Sequence, residues 1–307
     1  MKISKALIKK NIFKIVSIIL IILLLIYVPI YAIRKAREYE IYKEPAVETK
    51  IYTVWHIETF EGGGKSRIDY LKAIARDIED ENDGILFMIK KIEPESLETM
   101  LTNSTPDIIS FGYGVGKIVL PYLINLDKSY DARDQVLSSG MFNNKIYALP
   151  YIVSGYANIT HNVLNTTFYC GQTPYTHPEI IYNQQNQLPN KSESQYEAYK
   201  SFVYDKDSCL LGTARDVFRV NNLNKIGRAN AIITPVDSYT DLIQYVGITN
   251  VDDTITQFCA EMMSSSRQSS LADYSLFSAL NSKLYHDGIY SDMENALMNA
   301  RVPNVFE

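Results

Sequence analysis

Cysteine, tryptophan and histidine are scarce in this chain of 307 residues, which has three Cys, one Trp and four His. Cys170, Cys209 and Cys259 allow one disulfide at most, and no CxxC or Cys/His spacing suits zinc. His56, His161, His177 and His286 form no HExxH or other close pair, and no GxSxG provides a hydrolase nucleophile elbow. With 14 Gly and 11 Pro the chain is neither collagen-like nor low in complexity. Positive charge is short outside the amino terminus. The net charge is −5, but Lys2, Lys5, Lys9, Lys10 and Lys14 all precede the first acidic residue, Glu38. Without them 25 basic residues face 35 acidic ones, a net of −10. Such a body repels phosphate backbones, so no nucleic-acid partner is expected.

What is present suits a folded body. The chain is 46% hydrophobic and 21% charged, with length for one or two domains around a core. Its 23 Tyr and 11 Phe supply flat apolar faces, and each Tyr adds a polar tip.

Residues 15–32, IVSIILIILLLIYVPIYA, are eighteen positions without a formal charge. As a helix they extend about 27 Å, close to the thickness of a bilayer core. The five lysines before this run outweigh Arg34, Lys35 and Arg37 after it, which keeps the amino-terminal end 1–14 in the cytoplasm. Two readings stand. An uncleaved transmembrane anchor fits the length, whereas a signal peptide cut after Ile30-Tyr31-Ala32 would have basic residues just beyond the cut. In both, the body lies on the extracytoplasmic face of the cytoplasmic membrane. No Cys follows the run until Cys170, which excludes lipid attachment at a processed amino-terminal Cys.

After a charged spacer, 33–49, IYTVWH (51–56) reads as a buried strand. Gly62, Gly63 and Gly64 break it, and Ile68, Leu71, Ile74, Ala75 and Ile78 recur at helical spacing until Gly84. ILFMIKKI (85–92) and PDIISF (106–111) are two more strands, with a short helix at 95–101 between them. Alternating strands and helices imply parallel pairing in an α/β domain. KIYALPYIVSGYANITHN is mostly extended, and residues 165–207 read as a surface excursion or a poorly packed subdomain without a period. Gly212-Thr213-Ala214-Arg215-Asp216 leads into VFRVNNL, ANAIITPV is a strand candidate, and helical patterns dominate from Thr254 onwards.

Two motifs fail on inspection. EGGGKS (61–66) lacks the first Gly of a phosphate loop, since that position holds Thr59, so it reads as a turn and helix start. EDENDG (79–84) opens like a calcium loop, but its twelfth position is Lys90 where a bidentate Glu is needed. No catalytic constellation survives, so the chain is not expected to be an enzyme or to carry a metal or other cofactor. In an open parallel sheet, ligands bind beyond the carboxyl ends of the strands. Those ends carry Trp55, His56 and Glu58 after the first strand, and Phe111 and Tyr113 after the third. Aromatic faces with a few polar groups suit a neutral, hydroxylated ligand. Trp55 and Phe111 read equally well as ordinary core.

WHIETFEGGGKSRIDYLKAIARDIEDEN, PDIISFGYG, NNKIYALPYIVSGYANITHN and the carboxyl-terminal SSSRQSSLADYSLFSALNSKLYHDGIYSDMENALMNARVPNVF together resemble family-1 extracellular solute-binding proteins of ABC importers, the sugar-binding group. The resemblance covers residues 50–162 and 208–307. It implies a type II periplasmic-binding-protein-like fold, with a first α/β lobe at 50–160 and a second lobe with closing helices at 161–307. Crossing strands join the lobes, and a carbohydrate is clamped between them by hinge closure and passed to ABC permease subunits. Carried over by position, the ligand meets Trp55, His56, Glu61, Phe111 and Tyr113 in the first lobe and Ser154 and Tyr156 near the hinge. Thr213, Arg215, Asp216 and Asp237 are the corresponding polar residues of the second lobe. The sequence departs from the family in three ways. The second lobe is reduced, with 163–207 lacking its helical opening; the lipid-bearing Cys is absent; and THN stands where an aromatic usually precedes Asn162. A membrane-tethered module that keeps the fold but contacts a protein partner is the alternative.

Overall fold

The computed structural model describes residues 18, 20–36, 48–126, 130–161, 167–186, 188–192 and 194–307. Two units are separate, 1–49 and 50–307. In the first, residues 20–36 form helix α1, whose apolar side chains are exposed on all sides. No helix among the described residues is long and apolar enough to cross a membrane. The basic end 1–14, the start of the apolar segment 15–32 and most of the spacer 33–49 lie outside the described residues.

The second unit begins as its pattern predicts. β1 (Lys50–Ile57), α2 (Arg67–Glu81), β2 (Ile85–Ile92), α3 (Leu97–Asn103) and β3 (Ile108–Gly112) alternate, and β1 pairs in parallel with both β2 and β3. Helix α2 buries most of the face anticipated from its spacing, Leu71, Ile74, Ala75 and Ile78, together with Tyr70, while Ile68 is half-buried. It ends where Asn82 Nδ2 donates to the Ile78 carbonyl and Gly84 takes a φ of 81°. Short helices α4 (Gly116–Val119) and α5 (Asp134–Ser138) precede a hairpin, β4 (Met141–Phe142) and β5 (Lys145–Ile146).

Strand β6 (Leu149–Val153) returns to the first sheet, and after Ser154 and Gly155 the chain crosses into a second sheet with β7 (Tyr156–Thr160). There follow β8 (Thr167–Gly171), α6 (Glu179–Gln184), β9 (Asn190–Ser192), α7 (Gln195–Tyr204), β10 (Ser208–Thr213), α8 (Ala214–Lys225) and β11 (Ile232–Pro235). The chain then recrosses to β12 (Ile243–Ile248), α9 (Asp253–Met262), α10 (Ser265–Ser270) and β13 (Phe277–Ser278), and ends with α11 (Gly288–Leu297) beside β11. The final residues come back to the first lobe, where Val305 N–H donates to the Ser139 carbonyl at 2.8 Å.

The first sheet has the order β13-β6-β12-β3-β1-β2 and the second β11-β7-β10-β8-β9. Strands β3, β6 and β12 are buried at every position, and they are apolar except at Ser110 and Gln244, whose side chains hydrogen-bond to each other. A single cut at residue 160 does not separate the sheets, because β12 and β13 belong to the first.

The expected surface excursion at 165–207 is a correction. It contains β8, α6, β9 and α7, with Cys170, Ile181, Ala198 and Phe202 buried. These elements are short, five, six, three and ten residues, too brief for a period to emerge among the polar residues that separate their buried positions. All three cysteines are buried. The core of Trp55, Ile57 and Phe111 continues through Val153 and Ala157 to Leu210 and Val217, joining the lobes.

Candidate functional site

Beyond the carboxyl ends of β1 and β3 lies a buried polar network. The His56 ring is fully buried, and burial holds it below its ordinary pKa despite Glu58 nearby. In this neutral form Nε2–H donates to Glu58 Oε1 at 3.3 Å and Nδ1 accepts from Ser110 Oγ at 2.9 Å. Ser110 Oγ in turn accepts from Tyr151 at 2.8 Å and from Gln244 Nε2 at 3.0 Å. Gln244 also donates to the Ile57 carbonyl, and its Oε1 accepts from the Arg67 guanidinium at 3.1 Å.

Arg67, 2% exposed at the start of α2, holds the next loop by donating to the Phe60 carbonyl at 2.6 Å and by covering the Phe60 ring at 4.2 Å. Burial raises the Glu58 carboxyl, but His56, Arg67 and Lys91 together outweigh this and hold it well below the usual carboxylate range. The Gly62–Gly64 turn is drawn down by the 2.6 Å bond from Gly64 N–H to the Tyr274 carbonyl.

This rigid floor presents a loop to the second lobe. A cavity of about 310 Å³ lies between the lobes, with Glu58, Phe60, Glu61, Glu93 and Glu95 on one wall and Gln172, Tyr175 and Gln195 on the other. The lobes touch around it. Glu61 N–H donates to Gln195 Oε1 at 2.8 Å, the Arg219 guanidinium meets Glu61 at 3.0 Å, and Tyr175 OH donates to Glu95 Oε1 at 3.1 Å. The Tyr196 and Tyr199 rings flank Arg219 at 5.3 and 4.9 Å, and its other arm reaches Asp216 at 2.9 Å. A larger cavity, about 570 Å³, adjoins this one and shares Gln172, Thr173 and Pro174 as a wall.

Asp216 yields a pH prediction. Burial pushes its carboxyl up to about 6, against the Thr213 backbone hydrogen bond and Arg219, which lower it. The folded state therefore holds the proton more tightly than the unfolded chain, and stability falls by about 3 kcal/mol as pH rises from the ordinary 3.8 to about 6. His56 acts with the opposite sign, losing stability as pH falls below 6.5. Asp216→Asn isolates the first effect. In urea unfolding at a series of pH values, the wild-type excess over the variant should shrink by about 3 kcal/mol across this window. An excess that is independent of pH overturns the assignment.

The structure distributes the sequence-derived residues unevenly. Trp55, His56 and Phe111 are buried, with Phe111 stacked on Tyr245 at 6.0 Å, because the strand ends that carry them are roofed by the network. Tyr113 is half-buried and meets the His177 ring edge-on at 5.7 Å. Ser154 sits in the crossing with its Oγ buried and without a partner among the described residues, while Tyr156 donates to the buried Asp241 at 2.8 Å. Thr213 and Asp216 form a helix capping box, a role their spacing alone announces. Arg215 is half-buried and Asp237 lies exposed on the recrossing segment. Of the eleven, Glu61 alone lines the interlobe cavity. The sequence pattern missed Arg67, Gln244, Arg219, Gln195, Tyr175 and Asp241. Arg67 and Arg219 lie on helices whose polar faces look solvated, and Gln244 is a single polar residue in an apolar strand.

With the geometry in place, comparison with solved structures is informative. The GacH receptor of Streptomyces glaucescens, solved unliganded and in complex with acarbose, superposes with a TM-score of 0.61 at 14% identity, over 85% of this chain and 89% of that one. The arrangement of two sheets joined by crossing segments is the fold of that receptor. The Thermus thermophilus maltotriose binding protein, bound with maltotriose, shares it with a TM-score of 0.54 at 11% identity, over 83% and 89% of the two chains. Thiaminase I from Bacillus thiaminolyticus also superposes, at 0.59 and 11% identity over 82% and 94%, so the same fold also supports an enzyme. No family model matches the sequence, and no curated protein matches it.

Proposed function

We propose that this chain is a solute-binding protein that captures a carbohydrate between its lobes and presents it to the permease of an ABC importer. The supporting observation is the cavity of about 310 Å³ beyond the carboxyl ends of β1 and β2, walled by both lobes, which are connected by two chain segments able to act as hinges. The GacH receptor and the maltotriose binding protein, which share the fold, are recorded with acarbose and maltotriose. Chemistry on the solute is not part of this reading. Segment 15–32 tethers the body to the extracytoplasmic face of the membrane; support for this is the uncharged run and the five preceding lysines. Resistance of the chain to alkaline extraction from membranes tests the tether.

Thermal unfolding of the detergent-solubilised full chain against mono- and oligosaccharides tests capture. A solute at a hundred times its Kd adds about 2.7 kcal/mol to the stability of the folded state. Tyr175→Ala, which removes the aromatic wall and its bond to Glu95, should weaken that solute at least about tenfold. A cooperative transition unmoved by every solute overturns capture. It leaves the second reading, a tethered module for a protein partner, which the direct contacts of Glu61 with Gln195 and Arg219 favour.

A further inference from the structure

The charge balance of the interlobe cavity narrows the class of solute, an inference that rests on the binding reading above. Among the described residues four carboxylates, Glu58, Glu61, Glu93 and Glu95, line the cavity, against a single lining cation, Lys91. Lys91 is already engaged, since its Nζ lies 3.2 Å from Glu58, which Arg67 also approaches at 3.4 Å. Glu61 is matched by Arg219 across the lobes, and Arg219 divides its two arms between Glu61 and Asp216. His56 is buried and neutral.

Glu93 and Glu95 remain. Both stand exposed between β2 and α3, and among the described residues no cation pairs with either. Glu95 accepts only the Tyr175 phenol, whose half-buried ring forms part of the facing wall.

Closing two lobes over a neutral solute would remove these carboxylates from water without a counter-charge, and desolvating an unpaired charge is costly. An anionic solute would add repulsion. A protonated amine reverses the balance, because the carboxylates neutralise it and the Tyr175 ring offers it a face.

We propose that the cleft selects a solute carrying a protonated amine, an amino sugar within the carbohydrate reading, through Glu93, Glu95 and Tyr175. The cavity's size suits one or two sugar rings, and the adjoining cavity beyond Gln172–Pro174 provides room for a longer molecule.

The test pairs neutral sugars with their amine-bearing counterparts, such as glucose with glucosamine and N-acetylglucosamine, and neutral disaccharides with their amino forms. Each is titrated into the detergent-solubilised full chain and followed by calorimetry and thermal unfolding. The amines should bind at least about tenfold more tightly than their neutral or acetylated partners, with an advantage that shrinks as salt rises. The double variant Glu93→Gln/Glu95→Gln, which changes only exposed side chains, should unfold normally and lose that advantage. Equal binding of amine and neutral partners, or an advantage that survives the double variant, overturns the charge selection and leaves carbohydrate capture standing. Binding of neither set, in a chain that unfolds cooperatively, overturns both.

Discussion

Replacing Arg67 by Ala should cost about 3–5 kcal/mol of folding stability, the range for removing one partner of a buried ion pair. The guanidinium is 2% exposed and serves three acceptors at once: the Phe60 carbonyl, Gln244 Oε1 and Glu58. Alanine leaves the Phe60 carbonyl and the buried Gln244 Oε1 without this donor and takes one of three partners from Glu58, which keeps His56 and Lys91. Burial already lowers the Arg67 pKa, and Glu58 opposes that shift, so the pair depends on each other. Urea unfolding of wild type and variant measures the difference, and a loss below about 1 kcal/mol would show that the network is dispensable. The effect should extend to binding. The loop from Phe60 to Gly64 carries Glu61 to the cavity, so the variant should bind any captured solute more weakly even where it remains folded.

Gly63→Ala attacks the same loop through its backbone. Gly63 has a φ of 66°, in the left-handed region, where a side chain costs about 1–2 kcal/mol. An added Cβ would also lie 2.7 Å from Leu276 Cγ and against the Tyr274 carbonyl, the acceptor for Gly64 N–H. Overpacking of this kind adds about 1–3 kcal/mol. A total loss of about 2–5 kcal/mol is expected by the same unfolding measurement. Gly227→Ala is the control, since Gly227 has a φ of 68° but nothing within 4 Å of an added Cβ. It should lose only the backbone part. Equal losses at the two positions would mean that the Tyr274 and Leu276 contacts contribute nothing.

Both predictions concern residues whose importance was hidden in different ways. The Gly62–Gly64 triplet was legible as a break between strand and helix, and so was the face of α2 that begins at Arg67. What the loop does was not. Thr213 and Asp216 illustrate the converse: a resemblance placed them at a ligand, and the structure puts them in a helix cap, with Asp216 also steadying Arg219. Trp55 and Phe111 stand at strand ends where an open sheet binds its ligand, yet the polar network and core cover them. The short elements of 165–207 escaped notice because a strand of five residues or a helix of six shows barely one repeat of its period.

By itself the sequence determined the parallel α/β opening, the amphipathic face of α2, the first three strands, the acidic body and the uncharged segment 15–32. Each is a local property, set by a period of 2 or 3.6 residues, by composition or by charge along the chain. The tertiary structure alone decided which polar groups meet. Arg67 reaches Gln244 across 177 positions, and Glu61 N–H finds Gln195 across 134. It also decided that Glu93 and Glu95 face the cavity without a paired cation among the described residues, since Lys91 is taken up by Glu58. Such pairings depend on where two sheets bring distant loops, and no local pattern records which of 35 carboxylates will find a partner and which will not.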